Sequence, residues 1–251
     1  MIPSSNIEVI IPWQGGCPYR ERALAYVESK LVDCGYQVRR GEVRLGGAWP
    51  GLAGHGEGST WNKALAVMPA VEASFASVIV LHDADCWTDG LSRAIRAVEN
   101  GSPWAIPHSL VHRVNEVGTD AVLAGERWQD QELDQPSYSG MVGGGIVVLP
   151  RETFLEIPLD PRFAGWGQED ESWGLACWTM LGPPWRGHDP LVHLWHPPMP
   201  RLTRKVGSIE SQDVARLYHR ARMRPDQMKI VLGQAREAYR TYNKRELSWH
   251  H

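Results

Sequence analysis

The sequence predicts an α/β fold, and three observations carry that prediction. The apolar-rich stretch Ile7–Pro12 and the short continuous apolar run Val78–Leu81 suit buried strands. Between them lies a segment of helical period, Arg20 to Val32, with Ala23, Leu24, Val27 and Leu31 recurring at steps of three and four. A chain of 251 residues that is 43% hydrophobic is long enough for one large α/β domain or two small ones.

Ile7 to Pro12 reads as a first buried strand, halted by Pro12 and opened into a loop by Gly15, Gly16 and Pro18. With the helix at Arg20 to Val32 and a second strand at Tyr36 to Arg40, the chain begins as a βαβ unit. Gly41 to Gly58, with Trp49-Pro50 in its middle, reads as an irregular loop. Ser59 or Thr60 then caps a helix from Trp61 to about Ala76. Trp104 to Pro107 is another short strand, and the polar, acidic stretch Ser109 to Ser139 reads as a long loop or lid. Gly143-Gly144-Gly145 precedes a strand ending at Pro150; the run is neither a Walker loop nor a GxGxxG fingerprint. Glu169-Asp170-Glu171 leads into an apolar helix from about Trp173 to Leu181, where carboxylates also suit a helix N-terminus through its dipole. Leu191 to Pro198 is strand-like and carries His193 and His196. From Gln212 the chain is helical, broken near Pro225, and there is no internal repeat.

The pivot is Ser77 to Trp87, SVIVLHDADCW. Its apolar run ends in His82-Asp83-Ala84-Asp85, so two carboxylates fall at the carboxyl end of a buried strand. Ligands bind at that edge of an α/β sheet, and acidic side chains there can hold a hard cation that also grips phosphates. A plain turn is the competing reading of Asp-x-Asp.

Composition narrows the class. No apolar run approaches the roughly 18 residues that span a bilayer, and MIPSSNIEVIIP lacks the basic and apolar regions of an export signal, so a cytoplasmic protein is expected. Cys17, Cys34, Cys86 and Cys177 show neither a disulfide framework nor zinc spacing. Twelve Trp supply either core packing or sugar-stacking platforms. The net charge of -3 hides an asymmetry, since residues from Arg201 onward hold 12 Lys and Arg against 5 Asp and Glu.

Four stretches in one order, IEVIIPWQGGCPYRERA, GSTWNKAL with VIVLHDADCW, GGGIVVLPRETF with GWGQEDESWG, and VHLWHPP, resemble nucleotide-sugar glycosyltransferases of the GT-A fold, within the family-two group. The later half resembles the region shared by β-1,4-galactosyltransferases and chondroitin polymerases. The resemblance covers roughly residues 7 to 198 and implies a GT-A catalytic domain over 1–200, a Rossmann-like mixed sheet flanked by helices, in a protein of bacteriophage or bacterial type; the charge and pattern of 201–251 add a basic helical extension. It implies that Asp83 lies near the ribose or metal and that Asp85 holds Mn²⁺ or Mg²⁺ bridging the phosphates of a UDP-sugar. His193 or His196 is the implied histidine ligand; spacing does not choose between them. Pro12, Trp13 and Arg20 fall at the nucleotide-binding edge, Asn62 on the helix facing the donor, and Gly144, Gly145 and Trp166 near the sugar. Asp170 resembles the catalytic base and Glu169 the carboxylate that binds hydroxyls. Asp at position 170, where retaining relatives carry Asn, leans towards inversion. Gln168 departs from the Gly of many relatives, and Trp13-Gln14 from an aromatic-Arg pair.

The implied chemistry is transfer of a hexose to an acceptor hydroxyl, with Trp166 and Trp173 expected to desolvate Asp170 and raise its pKa. The basic tail suits three readings: phosphates of DNA carrying hydroxymethylated bases, anionic lipid beside a lipid-linked glycan, or a solvated helical face. Asp83, Asp85, Glu169 and Asp170 would also suit a two-metal phosphoesterase or nuclease.

Overall fold

A computed structural model of the chain describes residues 6–42, 61–140, 142–198 and 209–248. The chain opens with β1 (Ile7–Trp13), α1 (Pro18–Asp33) and β2 (Gln37–Glu42), and β1 pairs in parallel with β2, Glu8 opposite Gln37. This is the expected βαβ unit. It continues through α2 (Lys63–Glu72), β3 (Val78–His82), β4 (Cys86–Trp87), α3 (Leu91–Glu99) and β5 (Ala105–Arg113). Next come α4 (Glu116–Leu123), β6 (Tyr138–Ser139), β7 (Ile146–Pro150), α5 (Arg151–Glu156), α6 (Glu169–Leu181) and β8 (Trp185–His193). Two helices, α7 (Ile209–Ala221) and α8 (Pro225–Ser248), close the fold.

The strands form one mixed sheet in the order β2-β1-β3-β7-β5-β8-β4, with β6 paired to β5. β1, β2 and β3 are parallel, β7 is antiparallel to β3 and β5, and β8 is parallel to β5. Side chains alternate across the sheet, so each central strand feeds two cores. Ile10, Ile79, Leu81, Val147 and Leu149 face one, which is shared with α2, α5, α6, α7 and α8. Val9, Ile11, Val78, Val80, Ile146 and Val148 face the other, under α1 and α3. Both faces are covered, which is why these strands read as unbroken apolar runs.

The basic C-terminal helices are part of the first core. Val214, Ala215, Tyr218, Met228, Val231, Leu232 and Tyr239 are buried in the same cluster as Ile79 and Trp173. Several of their charges are paired within the helix, Arg216 with Asp213, Lys229 with Asp226 and Arg240 with Glu237. Among the described residues no helix is long and apolar enough to cross a membrane.

Several boundaries differ from expectation. Ser109 to Ser139 is not one long loop: β5 runs on to Arg113, Asn115 caps α4 by accepting from Gly118 N, and Tyr138–Ser139 pairs with β5. Its polarity reflects an edge that is half exposed. α6 starts at Glu169 and not at Trp173, because its acidic residues form the first turn. α3 buries Leu91, Ala94, Ile95 and Val98 on one stripe, a periodicity present in the sequence but cut short by its nine-residue length. Ser59 and Thr60, the expected caps of α2, and the loop from 43 to 58 lie outside the described residues.

Candidate active site

A cleft opens at the carboxyl ends of β1 and β3 and brings the candidate residues together. β3 ends at His82, opposite Ile146 of β7, and this register brings Gly145 against Asp83. The Asp83 N–H donates to Gly145 O at 2.8 Å, and Gly145 N–H donates to Asp83 Oδ2 at 3.0 Å. Gly145 sits at φ +76 and Gly143 at φ +107, conformations that L side chains resist. A side chain at Gly143 would also run into the carbonyl of Asp170, so the glycine run packs directly on the start of α6.

A second register sets the histidines. β4 pairs antiparallel with β8, Cys86 opposite His193, and Leu194 N–H donates to Asp85 O at 2.8 Å. His193 Nε2 is then 3.8 Å from Asp85 Oδ1, and His196 Nε2 is 3.1 Å from Asp85 Oδ2. One atom of each residue lies within 4.8 Å of the other two, so both histidines join Asp85. Asp83 is not in this group. Among the described residues it is the one His, Cys, Asp and Glu cluster with metal-binding proximity.

These three residues fit a divalent cation. His196 Nδ1 is 2.9 Å from Pro197 O, so Nδ1 carries the proton and, in the neutral ring, Nε2 turns a lone pair on Asp85. Two lone pairs facing one another at that distance repel unless a proton or cation lies between them. Burial pushes the His193 pKa down to about 4, which leaves a neutral, ligating imidazole at pH 7. Burial opposes ionisation of Asp85, but His193, His196 and Arg20 outweigh it and hold the carboxyl well below its usual range. Each imidazole contributes to that only when protonated, and Arg20, 4.0 Å away, is the positive charge that is always present. Two imidazoles with one carboxylate favour Mn²⁺ over Mg²⁺.

Beside this cluster stands a buried lysine. Lys63, on the first turn of α2, is 2.9 Å from Asp83 Oδ1 and 2.8 Å from Asp170 Oδ1. Burial alone would strip its proton, but the charges and hydrogen bonds of Asp170 and Asp83 prevail and raise its pKa above the ordinary lysine value. Of the two tryptophans expected to desolvate Asp170, Trp166 lines the smaller chamber with it and Trp173 does not. Instead Trp173 is core, packed on Phe154 with its N–H on Ile157 O, and Asp170 is engaged by Lys63. The carboxyl raised by its surroundings is Glu169: burial and the Asp170 charge push it up to about 8, against the pull of Lys63. Its Oε2 is buried with no hydrogen-bond partner.

Asn62 does not face the cavity. It is the N-cap of α2, accepting from Leu65 N and donating to Pro161 O, so both ends of its amide are used in the fold. The neighbouring Lys63 takes the cavity-facing place. Trp166 stacks on Trp61 at 4.9 Å, nearly parallel, and the Arg20 guanidinium lies 4.2 Å from the Trp166 ring centre. Gln168 holds α6's N-cap position at φ 68, a left-handed conformation that favours glycine.

The cleft has two chambers. The first, about 260 Å³, is lined by Pro12, Trp13, Arg20, Trp61, Lys63, Asp85 and Trp166, with Asp83, Glu169, Asp170 and both histidines. The second, about 850 Å³, is walled by β5, β6 and the glycine run, Gly144 and Gly145 included. Asp83, Arg113, Asp170 and His193 line both. Lys63, Trp61 and Arg113 were not anticipated. A lysine heading an otherwise apolar helix, Lys63-Ala-Leu-Ala-Val-Met, was the available signal for the first.

No family model matches the chain, and no curated protein matches it. Among solved structures it is similar to a Drosophila β-1,4-galactosyltransferase 7 variant in complex with manganese, UDP-Gal and xylobiose, at 14% identity and a TM-score of 0.37, over 67% of this chain. The chain spans 59% of the length of that enzyme. It is also similar to glucosyl-3-phosphoglycerate synthase from Mycobacterium tuberculosis, in complex with Mn²⁺, uridine diphosphate and glucosyl-3-phosphoglycerate, at 15% identity and a TM-score of 0.41, over 84% of this chain and 78% of that one.

Proposed function

We propose that the chain is a metal-dependent, inverting glycosyltransferase that moves a hexose from a UDP-sugar to an acceptor hydroxyl. The observation that carries this is the juxtaposition, across one cleft, of the Asp85, His193 and His196 cluster with the Lys63-held Asp170. A divalent cation held by the three would act as a Lewis acid for the negative charge of a departing nucleoside diphosphate. Pro12, Trp13 and the Trp61, Trp166 and Arg20 stack form the nucleotide end of the smaller chamber. Asp170 lines both chambers and is the base that takes the acceptor proton, help typically worth about 10²–10⁴ in rate. Glu169, protonated near neutral pH, donates a hydrogen bond to a sugar hydroxyl.

The phosphoesterase reading is less well supported. It needs a second metal position, and Asp83 and Asp170 are turned to Lys63. For a nucleic-acid acceptor, four of the described cations of the basic helices are already engaged, Arg216, Lys229 and Arg240 paired as above and Arg236 bonded to Glu156 O.

Thermal unfolding with uridine diphosphate, with and without Mn²⁺, tests the proposal, since a ligand of the folded state raises the midpoint by mass action. A rise that requires the metal and disappears in Asp85→Asn is expected. A rise with metal alone and none with any nucleotide would reject it in favour of phosphoester chemistry. The configuration of the product's anomeric carbon, read by NMR, tests inversion.

A further inference from the structure

We infer that the larger chamber binds the acceptor as an uncharged, hydroxyl-rich saccharide, and that Asp134 and Glu171 screen out anionic acceptors. This rests on the transferase reading above and adds the acceptor class to it.

The chamber is acidic. Asp83, Asp134, Asp170 and Glu171 line it against a single guanidinium, that of Arg113, whose Nε donates to Tyr138 Oη at 3.1 Å. Lys63 touches Asp83 and Asp170 from the other chamber, and Glu171 has His219 at 3.2 Å. Counting Lys63 with Arg113, carboxylates still outnumber fixed cations by two. A phosphate or carboxylate entering there meets like charge in a partly desolvated space, which costs several kcal/mol at interfaces of this kind. A neutral polyol meets no such opposition.

The chamber also holds polar groups in need of partners. His108 is 1% exposed, lines the wall beside Gly140 and Gly145, and its Nδ1 has no hydrogen-bond partner. Gln168 Oε1, on the same wall, is buried and unpartnered too. An imidazole and a carboxamide side chain lining the chamber carry the donor and acceptor groups that hydroxyls use. A volume of about 850 Å³ lies towards the upper end of ordinary ligand sites and admits more than one sugar ring. In transfer, the acceptor oxygen forms the bond to the anomeric carbon as the bond from that carbon to the diphosphate oxygen breaks. The hydroxyl proton passes to Asp170, and the electron pair leaves with the nucleoside diphosphate.

The test uses the full chain with Mn²⁺ and UDP-glucose or UDP-galactose. Saturation-transfer NMR and product formation are followed with lactose, maltose and cellobiose, with their phosphorylated or uronic-acid counterparts, and with a DNA duplex carrying hydroxymethylcytosine. Neutral sugars should bind and react with at least about tenfold higher kcat/KM than their anionic counterparts. The double variant Asp134→Asn, Glu171→Gln should narrow that gap by admitting the anionic sugars, a change that a loss of folding would not produce. Equal or better use of the anionic sugars or of the DNA overturns the proposal. So does the absence of any neutral-sugar signal while metal-dependent UDP binding is retained, and loss of UDP binding itself would instead reject the transferase reading.

Discussion

The Lys63 ammonium stands 2.8 Å from Asp170 Oδ1 at the head of a helix whose buried face is otherwise apolar. Lys63 lines the smaller chamber, and the Asp83 and Asp170 it pairs with line both.

Removing the lysine should therefore do two things at once. In Lys63→Met, Asp83 and Asp170 would keep their charges without a partner, and breaking a buried pair typically costs about 3–5 kcal/mol. Both carboxylates are about a quarter exposed, so water returns part of that and a loss near 3 kcal/mol is expected. For a chain of this size the midpoint would fall by about 6–12 °C. The kcat/KM should fall by about 100-fold or more, with Lys63→Arg recovering part of it. An unchanged kcat in a folded Lys63→Met protein would remove Lys63 from the mechanism.

The three candidate metal ligands should behave as a set. Asp85→Asn, His193→Ala and His196→Ala should each abolish the Mn²⁺-dependent part of uridine diphosphate binding. If His196→Ala binds like wild type, only Asp85 and His193 hold the ion. Because an imidazole must be neutral to ligate, the metal-dependent shift should also fade as the pH falls towards the His193 pKa of about 4.

Much of this was legible in the sequence because the central strands are buried on both faces. Val9–Ile11, Val78–Leu81 and Ile146–Leu149 announce themselves as unbroken apolar runs, and Asp83 and Asp85 follow one of them. What spacing could not decide was register. His193 and His196 both reach Asp85 only because β8 pairs with the two-residue strand β4, too short to carry a pattern of its own. Asn62 and Lys63 are adjacent, and which of them faces the cleft depends on where α2 begins. The N-cap settles it, turning Asn62 back into the fold.

Glu169 should make stability depend on pH in a particular direction. Burial first, and then Asp170, raise its pKa in the folded chain from 4.5 to about 8. In that interval the unfolded chain has lost a proton that the folded one keeps, so stability is greatest below the ordinary carboxylate range and falls as pH rises through about 8. Glu169→Gln removes that loss. The variant should gain stability over wild type progressively from mildly acid to mildly alkaline pH, and parallel unfolding curves across that range would contradict the assignment.

Trp166 should matter for the donor. Its ring is stacked between Trp61 and the Arg20 guanidinium, and cation–π contacts of this kind are worth about 0.5–2 kcal/mol. Trp166→Ala would free Arg20 from its platform and weaken uridine diphosphate binding by up to about tenfold, with a matching rise in the donor KM. Unchanged constants for donor and acceptor would leave Trp166 as packing alone.

Gln168 offers a test in which stability and activity separate. At φ 68 its backbone is left-handed, which costs a non-glycine residue roughly 1–2 kcal/mol, and its side-chain oxygen is buried without a partner. Such strain persists where the surroundings impose it and clusters at functional sites. Gln168→Gly relieves both costs, so the midpoint should rise by about 2–4 °C or more even though glycine gains freedom in the unfolded chain. The same change deletes a polar group from the acceptor chamber, so acceptor KM should rise while metal-dependent uridine diphosphate binding holds. A more stable variant with an unaltered acceptor KM would mean that Gln168 is tolerated there for no catalytic reason.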